Sequence, residues 1–211
     1  MGSPGLVPGL FLFHVKTIQT AAGFSGVDLD MTMLQRLQTY GDWLREEGIV
    51  AGAIGPAEAD RIEGRHLADS LLFASQIPPT TRTIWDLGSG VGLPGIPLAI
   101  THPDIEFHLI DRSGRRTGLL RRVIRILDLA NCSVQTAEID RLTGEIEMIV
   151  TRATLPAEQM AMVGNRLLFP GGMVVMGGSW QERPEHEDWQ TIEIPAEVLD
   201  HTIWLLIMRR E

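Results

Sequence analysis

A glycine-rich stretch at residues 86–97 (DLGSGVGLPGIP) is the part of the chain best suited to hold a ligand. It follows a short apolar run at residues 83–87 and precedes a helical pattern, so its glycines fall in a strand-to-helix turn, where the backbone can closely approach a bound group. A Walker-type phosphate loop is excluded because no Gly-Lys-Ser/Thr follows. Residues 90–95 do satisfy G-x-G-x-x-G, and Asp111 ends the next apolar run, so dinucleotide binding stays open.

The position of Asp86 favours a cationic ligand. Its carboxylate is expected at the end of the strand, at the mouth of the loop, where it would repel a pyrophosphate and attract positive charge. S-adenosylmethionine carries an ammonium and a sulfonium beside a ribose, and Asp111 can accept hydrogen bonds from the ribose hydroxyls. We therefore predict an S-adenosylmethionine site that includes Asp86 and the glycines Gly88, Gly90 and Gly92. An NAD(P)-dependent oxidoreductase remains the alternative reading of the glycine pattern.

Short apolar runs alternate with helical patterns from residue 83 onward. Strands are predicted at 83–87, 106–111, 133–137, 148–151 and 173–176, and helices at 93–101, 115–129 and 156–169. This alternation predicts an α/β fold with a doubly wound, mostly parallel sheet and helices on both faces. Residues 190–194 and 202–208 are predicted to add a C-terminal antiparallel hairpin.

The first 80 residues lack strand patterns and are predicted to form a small helical cap. Residues 29–47 and 58–76 carry apolar residues at helical spacing. We predict residues 27–80 as the cap and residues 81–211 as the main domain, the two forming one compact unit. Residues 1–26 are expected to be a poorly ordered extension, because their apolar run is too short for a signal peptide or a membrane span.

Composition bounds the function classes. The single cysteine, Cys132, excludes an internal disulfide and a multi-cysteine zinc site, and no metal is expected. One cysteine in 211 residues indicates a reducing compartment, so we expect a cytoplasmic monomer without membrane attachment. The net charge of −9 argues against nucleic-acid binding by overall charge.

The positive charge is nevertheless concentrated. Six arginines lie within residues 112–125, on or next to the predicted helix after the second strand. Arginine forks suit phosphate oxygens and can stack on bases, although such residues also solvate the outer face of an amphipathic helix. The six are Arg112, Arg115, Arg116, Arg121, Arg122 and Arg125.

Two further regions of the chain contain candidates for the site. His66 and Asp69 lie three residues apart and share a helix face, flanked by Arg65 and Ser70. Arg152 directly follows the fourth predicted strand, and ligands of open α/β sheets bind beyond the carboxyl ends of the strands.

Several motifs together resemble one bacterial family. Residues 86–97 are very similar to the corresponding loop of the RsmG family (glucose-inhibited division protein B), which methylates N7 of a guanosine in small-subunit ribosomal RNA. Residues 65–71 (RHLADSL) resemble the family's Arg-His-Ile-Leu-Asp-Ser-Leu, and residues 149–153 (IVTRA) resemble its Val-Ser-Arg-Ala. Residues 109–121 (LIDRSGRRTGLLR) lie between them in the expected order. The similarity extends over roughly residues 30–208.

The resemblance implies a class I methyltransferase fold, S-adenosylmethionine as methyl donor, and 16S ribosomal RNA or the small ribosomal subunit as partner. A related S-adenosylmethionine-binding protein with another substrate, or without activity, is the alternative. No general base is required because guanine N7 has a free lone pair, and Asp86 is the one candidate for an electrostatic role. The implied cofactor contacts are Gly88, Leu93, Asp111, Ala137, Glu138 and Arg152. The implied RNA contacts are Arg65, His66, Arg112, Arg115 and Arg116.

The chain departs from the family pattern in two places. The family's Trp-Asn…Asn-Leu-Thr stretch before the Arg-His motif keeps only Trp43 here. The family's Leu-Lys-Gly after the fifth strand is replaced by Met176-Gly177-Gly178, so its cation is missing. Both changes lie where the substrate, more than the cofactor, would be handled.

Overall fold

Seven strands form one sheet in the order β3-β2-β1-β4-β5-β7-β6. The structure, a computed structural model, describes residues 8–178, 180 and 182–211, and the side chains of these from residue 15 onward. The strands β1 to β5 run parallel, whereas β7 is antiparallel to both β5 and β6. Their bounds are β1 Thr83–Leu87, β2 Glu106–Asp111, β3 Cys132–Thr136, β4 Ile146–Arg152, β5 Leu168–Gly177, β6 Gln190–Ile194 and β7 Ile203–Arg209.

The central strands are apolar because both of their faces are covered. Ile149 and Val150 of β4 point to opposite sides of the sheet, and neither is exposed to solvent. Their partners on β5, Val174 and Val175, are equally buried. The strands β1, β2 and β6 begin and end at the predicted residues. The strand β5 is longer than predicted at both ends, since pairing with β4 and β7 extends it beyond its apolar run.

Helices cover both faces of the sheet. Those within the main domain follow the strands in alternation and pack against them through apolar stripes. In α5, for example, Ser113 caps the first turn by accepting from the Arg116 N–H at 3.4 Å. The helices are α1 Pro8–Phe24, α2 Met31–Trp43, α3 Asp69–Leu72, α4 Gly95–Thr101, α5 Gly114–Leu127, α6 Ala157–Leu167 and α7 Ala196–Leu199.

The front layer consists of α1, α2 and the helical segment of residues 56–76. This segment is a succession of short turns of different pitch that includes α3. Arg45, just after α2, pairs with Glu63 of the segment and ties the two together. Tyr40 of α2 donates its hydroxyl to the Val91 carbonyl at 2.9 Å, so this layer is anchored to the glycine loop.

The N-terminal region differs from its expectation as a poorly ordered extension. Residues 1–7 lie outside the described residues, but Pro8–Phe24 form a helix whose Ile18, Ala21 and Ala22 are buried in the core. The sequence did not reveal this helix because its apolar residues are spread around most of the circumference, so that no clear apolar stripe marks one face. None of the helices described in the structure has the length and apolarity needed to cross a membrane.

Gly164 of α6 and Gly118 of α5 offer a matched test of the packing. An added Cβ at Gly164 would come within 2.3 Å of Met208 Cε and 2.8 Å of Val174 Cγ2, whereas at Gly118 it would meet nothing within 4 Å. We expect Gly164→Ala to lower the free energy of unfolding by about 1–3 kcal/mol through overpacking. Gly118→Ala should raise it by about 0.5–1 kcal/mol, the usual gain in an exposed helix interior. Urea unfolding of both variants measures this, and equal effects would contradict the packing of α6.

Candidate functional site

A cavity of about 780 Å³ lies at the carboxyl ends of the parallel strands. It is bordered by the loops that follow β1, β2, β3 and β4 and is covered by the front layer. This is the crevice in which open α/β sheets bind ligands, and its volume falls within the usual range for such sites. From the loops come Gly88, Gly90, Leu93, Asp111, Arg112, Arg116, Ala137, Glu138, Asp140, Arg152 and Thr154; from the front layer come Ile54, Glu58 and His66.

The glycine loop turns sharply out of β1. Gly88 and Gly90 have φ values of +74° and +61°, which favour glycine. A Cβ at Gly88 would lie 2.3 Å from Thr154 Cγ2, so this glycine lets the loop after β4 approach. At Gly90 a Cβ would meet only the Gly88 carbonyl oxygen, at 3.9 Å. The backbone at Gly90 is therefore open towards the cavity.

Asp111 fixes this loop to the end of β2. Its Oδ2 accepts from the Gly90 N–H at 3.0 Å, and its Oδ1 accepts from the Ser113 N–H at 2.9 Å. The Arg116 guanidinium lies 3.6 Å from Oδ2. Each carboxylate oxygen has a second lone pair, so Asp111 can still accept from a ligand hydroxyl while holding the loop.

Ala137 and Glu138 form the end of the cavity beyond β3. The Ala137 N–H donates to the Asp111 carbonyl at 3.2 Å, which keeps the loop after β3 close to the loop after β2. Glu138 is exposed on the cavity rim. A small residue beside a carboxylate acceptor suits a flat ring that carries an amino group.

At the opposite end, Arg152, His66 and Glu58 lie in a row. Arg152 Nη2 is 3.3 Å from His66 Nδ1, and His66 Nε2 is 3.5 Å from Glu58 Oε2. Burial, reinforced by the Arg152 charge, lowers the pKa of His66 to about 4, so its ring is neutral at neutral pH. Burial also lowers the pKa of Arg152, an effect opposed by Asp69, Tyr40 and Asp86.

The backbone after β4 is strained. Ala153 adopts a φ of +52°, which is uncommon for a residue with a Cβ, and its N–H donates to the Gly177 carbonyl at 3.2 Å. The next residue, Thr154, donates its hydroxyl to the Leu87 carbonyl at 3.1 Å. These bonds hold the turn that borders the cavity beside Arg152. The sequence analysis did not name Thr154, although its position just after a parallel strand indicates a residue that borders a ligand site.

Asp86 does not lie at the mouth of the loop, which corrects its prediction as a ligand-binding residue. It is fully buried behind the loop, where Oδ2 accepts from the Gly95 N–H at 3.0 Å. Within the described residues, its Oδ1 has no hydrogen-bond partner. Burial raises the pKa of Asp86 to about 7. The side chain points to the face of the sheet that α4 covers, and therefore away from the cavity.

Gly92 likewise faces the protein interior. A Cβ there would lie 2.4 Å from Ile96 Cδ1 and 3.1 Å from the Tyr40 hydroxyl. Gly92 therefore serves close packing between the loop and α2, not ligand contact. The charge at the cavity comes instead from four carboxylates, Glu58, Asp111, Glu138 and Asp140, and from three arginines, Arg112, Arg116 and Arg152.

The residues predicted to contact RNA are only partly brought together. His66, Arg112 and Arg116 border the cavity, whereas Arg115 is exposed on the first turn of α5 outside it. Arg65 faces a neighbouring cavity. Farther along α5, Arg122 pairs with Glu47 at 2.9 Å.

The missing cation at position 177 has a steric explanation. An added Cβ at Gly177 would lie 2.5 Å from the Phe73 ring. A lysine there would require Phe73 to move. Phe73 belongs to the helical segment of residues 56–76 and is buried, so its ring occupies the space beside Gly177.

Comparison of the sequence with known families gives one match over most of the chain. The profile described as "GidB: rRNA small subunit methyltransferase G" matches residues 33–201. Relatives named ribosomal RNA small subunit methyltransferase G include that of Acidothermus cellulolyticus, 39% identical over 68% of this chain and 65% of its own length. That of Mycobacterium leprae is 37% identical over 65% of this chain and 58% of its own length. In both cases, the match spans less than two thirds of the relative.

Solved structures with the same architecture are also methyltransferases. A ribosomal protein L11 methylase from Lactobacillus delbrueckii superimposes with a TM-score of 0.53 at 17% identity, covering 70% of this chain and 79% of that chain. Magnesium protoporphyrin IX methyltransferase from Synechocystis, determined with bound SAM, gives 0.54 at 13% identity, covering 87% and 99%. At these identities the likeness shows the fold, and it confirms the predicted class I methyltransferase fold.

The burial of Asp86 predicts a pH-dependent difference in stability. An acid whose pKa is raised in the folded state keeps its proton there while the unfolded chain loses it, so its contribution to stability falls as the pH rises from about 4 to about 7. Asn lacks this ionisation and retains an acceptor for Gly95. Relative to the wild type, Asp86→Asn should therefore gain stability with pH across this window.

Urea unfolding at several pH values measures the difference in free energy of unfolding between Asp86→Asn and wild type. His66 and Asp69 titrate in both proteins, so their contributions cancel in this difference. The exposed Asp104→Asn is the control. A difference between Asp86→Asn and wild type that stays constant with pH would contradict the buried environment.

Proposed function

Because this chain belongs to the rRNA small subunit methyltransferase G family, we propose that it transfers a methyl group from S-adenosylmethionine to N7 of a guanosine in 16S ribosomal RNA. The observation that supports the proposal is the family match over residues 33–201, together with one cavity that is bordered by seven of the nine predicted cofactor contacts, all except Asp86 and Gly92. The matched residues include both the glycine loop and the helical segment that covers it.

The cavity suits the parts of S-adenosylmethionine in order along the sheet edge. Ala137 and Glu138, after β3, would frame the adenine and accept from its amino group. Asp111, after β2, would accept from the ribose hydroxyls. The backbone at Gly88 and Gly90, after β1, would lie along the methionine part, which places the reactive end near Arg152.

Bound there, S-adenosylmethionine would supply an electrophilic methyl group on a sulfonium. Guanine N7 needs no deprotonation, so no residue has to act as a general base. What the protein supplies is orientation, an effect that can be worth roughly 7–11 kcal/mol. The neutral His66 ring fits this role, since it can hold Arg152 in place through Nδ1 without adding positive charge beside the cofactor.

The charge balance of the reaction also favours a site without a general base. The positive charge of the sulfonium passes to the methylated guanine, so the net charge of the reacting groups does not change. Carboxylates near the cavity, such as Glu58 and Asp111, therefore attract the cofactor before transfer and the modified base afterwards. The buried Asp86 takes part only by holding the loop.

RNA would approach the rim on which arginines are concentrated. Arg112 and Arg116 border the cavity, and Arg115 is exposed beside them on the first turn of α5. Such a local basic patch can bind phosphates even though the whole chain carries a net charge of −9.

Gly90 gives a direct test of the cofactor site. Its φ of +61° makes Gly90→Ala slightly strained, at about 1–2 kcal/mol, and the new methyl group would project into the cavity. We expect S-adenosylhomocysteine to bind Gly90→Ala at least about tenfold more weakly than wild type, as measured by isothermal titration calorimetry. Gly26→Ala, with φ +73° and open space around it, is the strain-matched control and should bind normally. Binding of NADH in place of S-adenosylhomocysteine would overturn the proposed function.

A substitution of Arg115 tests the proposed contact with RNA. We expect Arg115→Gln to raise the KM for small ribosomal subunits severalfold and to reduce the slope of log affinity against log salt by about 1, because one phosphate contact is lost. Affinity for S-adenosylhomocysteine should not change, because Arg115 lies outside the cavity. Arg209→Gln is the matched control, because Arg209 is exposed at the end of β7, towards the amino ends of the parallel strands and away from the cavity. Methyl transfer from labelled S-adenosylmethionine, at several salt concentrations, is the measurement, and an unchanged slope would exclude Arg115 from the interface.

A further inference from the structure

A second cavity, of about 670 Å³, lies beside the first along the same edge of the sheet. It is bordered by the residues after β5 and at the start of β7, and by the face of the helical segment 56–76 that points away from the first cavity. Its lining includes Arg65, Asp69, Gly178, Trp180, Ile203 and Trp204.

The two cavities are neighbours because of the strand order. The first reaches as far as the loop after β4, and β5 is the next strand. Arg152 pairs in register with Gly177, one residue before the second cavity begins. Between the cavities stand His66, which borders the first, and Arg65, which borders the second. Glu58 Oε2 lies 3.5 Å from His66 Nε2 and 3.7 Å from Arg65 Nε, and so links the two sides.

The walls of the second cavity combine aromatic rings with unsatisfied polar atoms. Trp204 and Trp180 are partly buried, and the Trp180 ring packs directly over Gly178. Among the described residues, neither Asp69 Oδ1 nor Trp204 Nε1 has a hydrogen-bond partner. Burial raises the pKa of Asp69 to about 7, although the neighbouring Arg152, His201 and Arg65 oppose this shift.

This combination matches one nucleobase best. Every base offers a flat face to indole rings, but guanine alone presents two adjacent donors, N1–H and N2–H, that a carboxylate accepts together. Its neighbouring O6 requires a donor, which an indole N–H can supply. Adenine offers only one donor group on that edge. N7 lies across the purine from N2, so a guanine held by Asp69 would leave N7 on the side away from the carboxylate.

We propose that the second cavity receives the target guanine, unstacked from the RNA, with Asp69 accepting from N1–H and N2–H, Trp204 Nε1 donating to O6, and the Trp180 ring contacting a face of the base. Arg65, exposed at the rim, binds the adjoining phosphate. The inference rests on the proposed function, whose substrate it places. It also gives a specific binding role to Asp69, which the sequence analysis named only as a candidate for the site on the helix face of His66.

Binding of GMP to the full chain, saturated with S-adenosylhomocysteine, tests this pocket without requiring methyl transfer. In nuclear magnetic resonance spectra, GMP should shift the indole N–H signals of Trp180 and Trp204, assigned with Trp→Phe variants, and should leave that of Trp189 in place. Asp69→Asn should weaken GMP binding at least about tenfold, because a charge-assisted pair of hydrogen bonds is lost. AMP should bind more weakly than GMP. Asp104→Asn is the control and should bind GMP like wild type.

Two results would overturn the pocket. One is that GMP at millimolar concentration leaves the Trp204 signal unchanged, and the other is that Asp69→Asn binds GMP as wild type does. Methyl transfer to small subunits separates this proposal from the proposed function. If wild type transfers the methyl group and Asp69→Asn keeps the same kcat/KM, the pocket is wrong and the function stands. If GMP binds as expected but no RNA is methylated, the function fails and the pocket stands.

Discussion

Two carboxylates hold the glycine loop in place, and the cavity depends on them. Asp111 accepts from the Gly90 N–H on the cavity side, and Asp86 accepts from the Gly95 N–H on the buried side. A loop rich in glycine has high conformational entropy when unfolded, so directional bonds at both ends are what make it a rigid ligand platform. Asp86 achieves this at a cost, because burial raises its pKa to about 7 and leaves one oxygen without a partner in the described part of the chain. Asp86 thus fixes the start of α4 at the expense of some stability.

The distribution of charge reconciles the proposed RNA binding with the net charge of −9. Four carboxylates and the arginines Arg112, Arg116 and Arg152 border the cavity, whereas the exposed Arg115 extends the positive charge along the neighbouring start of α5. His66 stays neutral because burial and Arg152 lower its pKa to about 4, so the row Arg152–His66–Glu58 carries one positive and one negative charge. A net charge of −9 therefore says little about any one face of the molecule.

The sequence predicted well what depends on local pattern and poorly what depends on which way a side chain points. Strands such as β1 and β2 were readable from their apolar runs, and Gly88, Gly90 and Asp111 from the strand-to-helix turn they border. Asp86 was misplaced because alternation along a strand does not tell which face meets a helix and which meets the ligand. Asp69 and Trp204, about 135 residues apart in the chain, share a cavity only because β7 pairs antiparallel beside β5. No local sequence pattern predicts a contact between residues so far apart in the chain.

The glycine at position 177, where the family pattern has a lysine, fits the aromatic wall proposed for the second cavity. The ring of Phe73 occupies the space that a side chain at Gly177 would need, and the ring of Trp180 covers Gly178. With rigid rings and no flexible cation, the end of β5 offers surfaces for stacking more than for charge attraction. The positive charge is still available nearby, since Arg65 is exposed at the rim of the same cavity and Arg152 lies on the adjacent strand. In the proposed pocket, the absence of a lysine thus leaves a wall suited to a flat base, with Arg65 available to bind the adjoining phosphate.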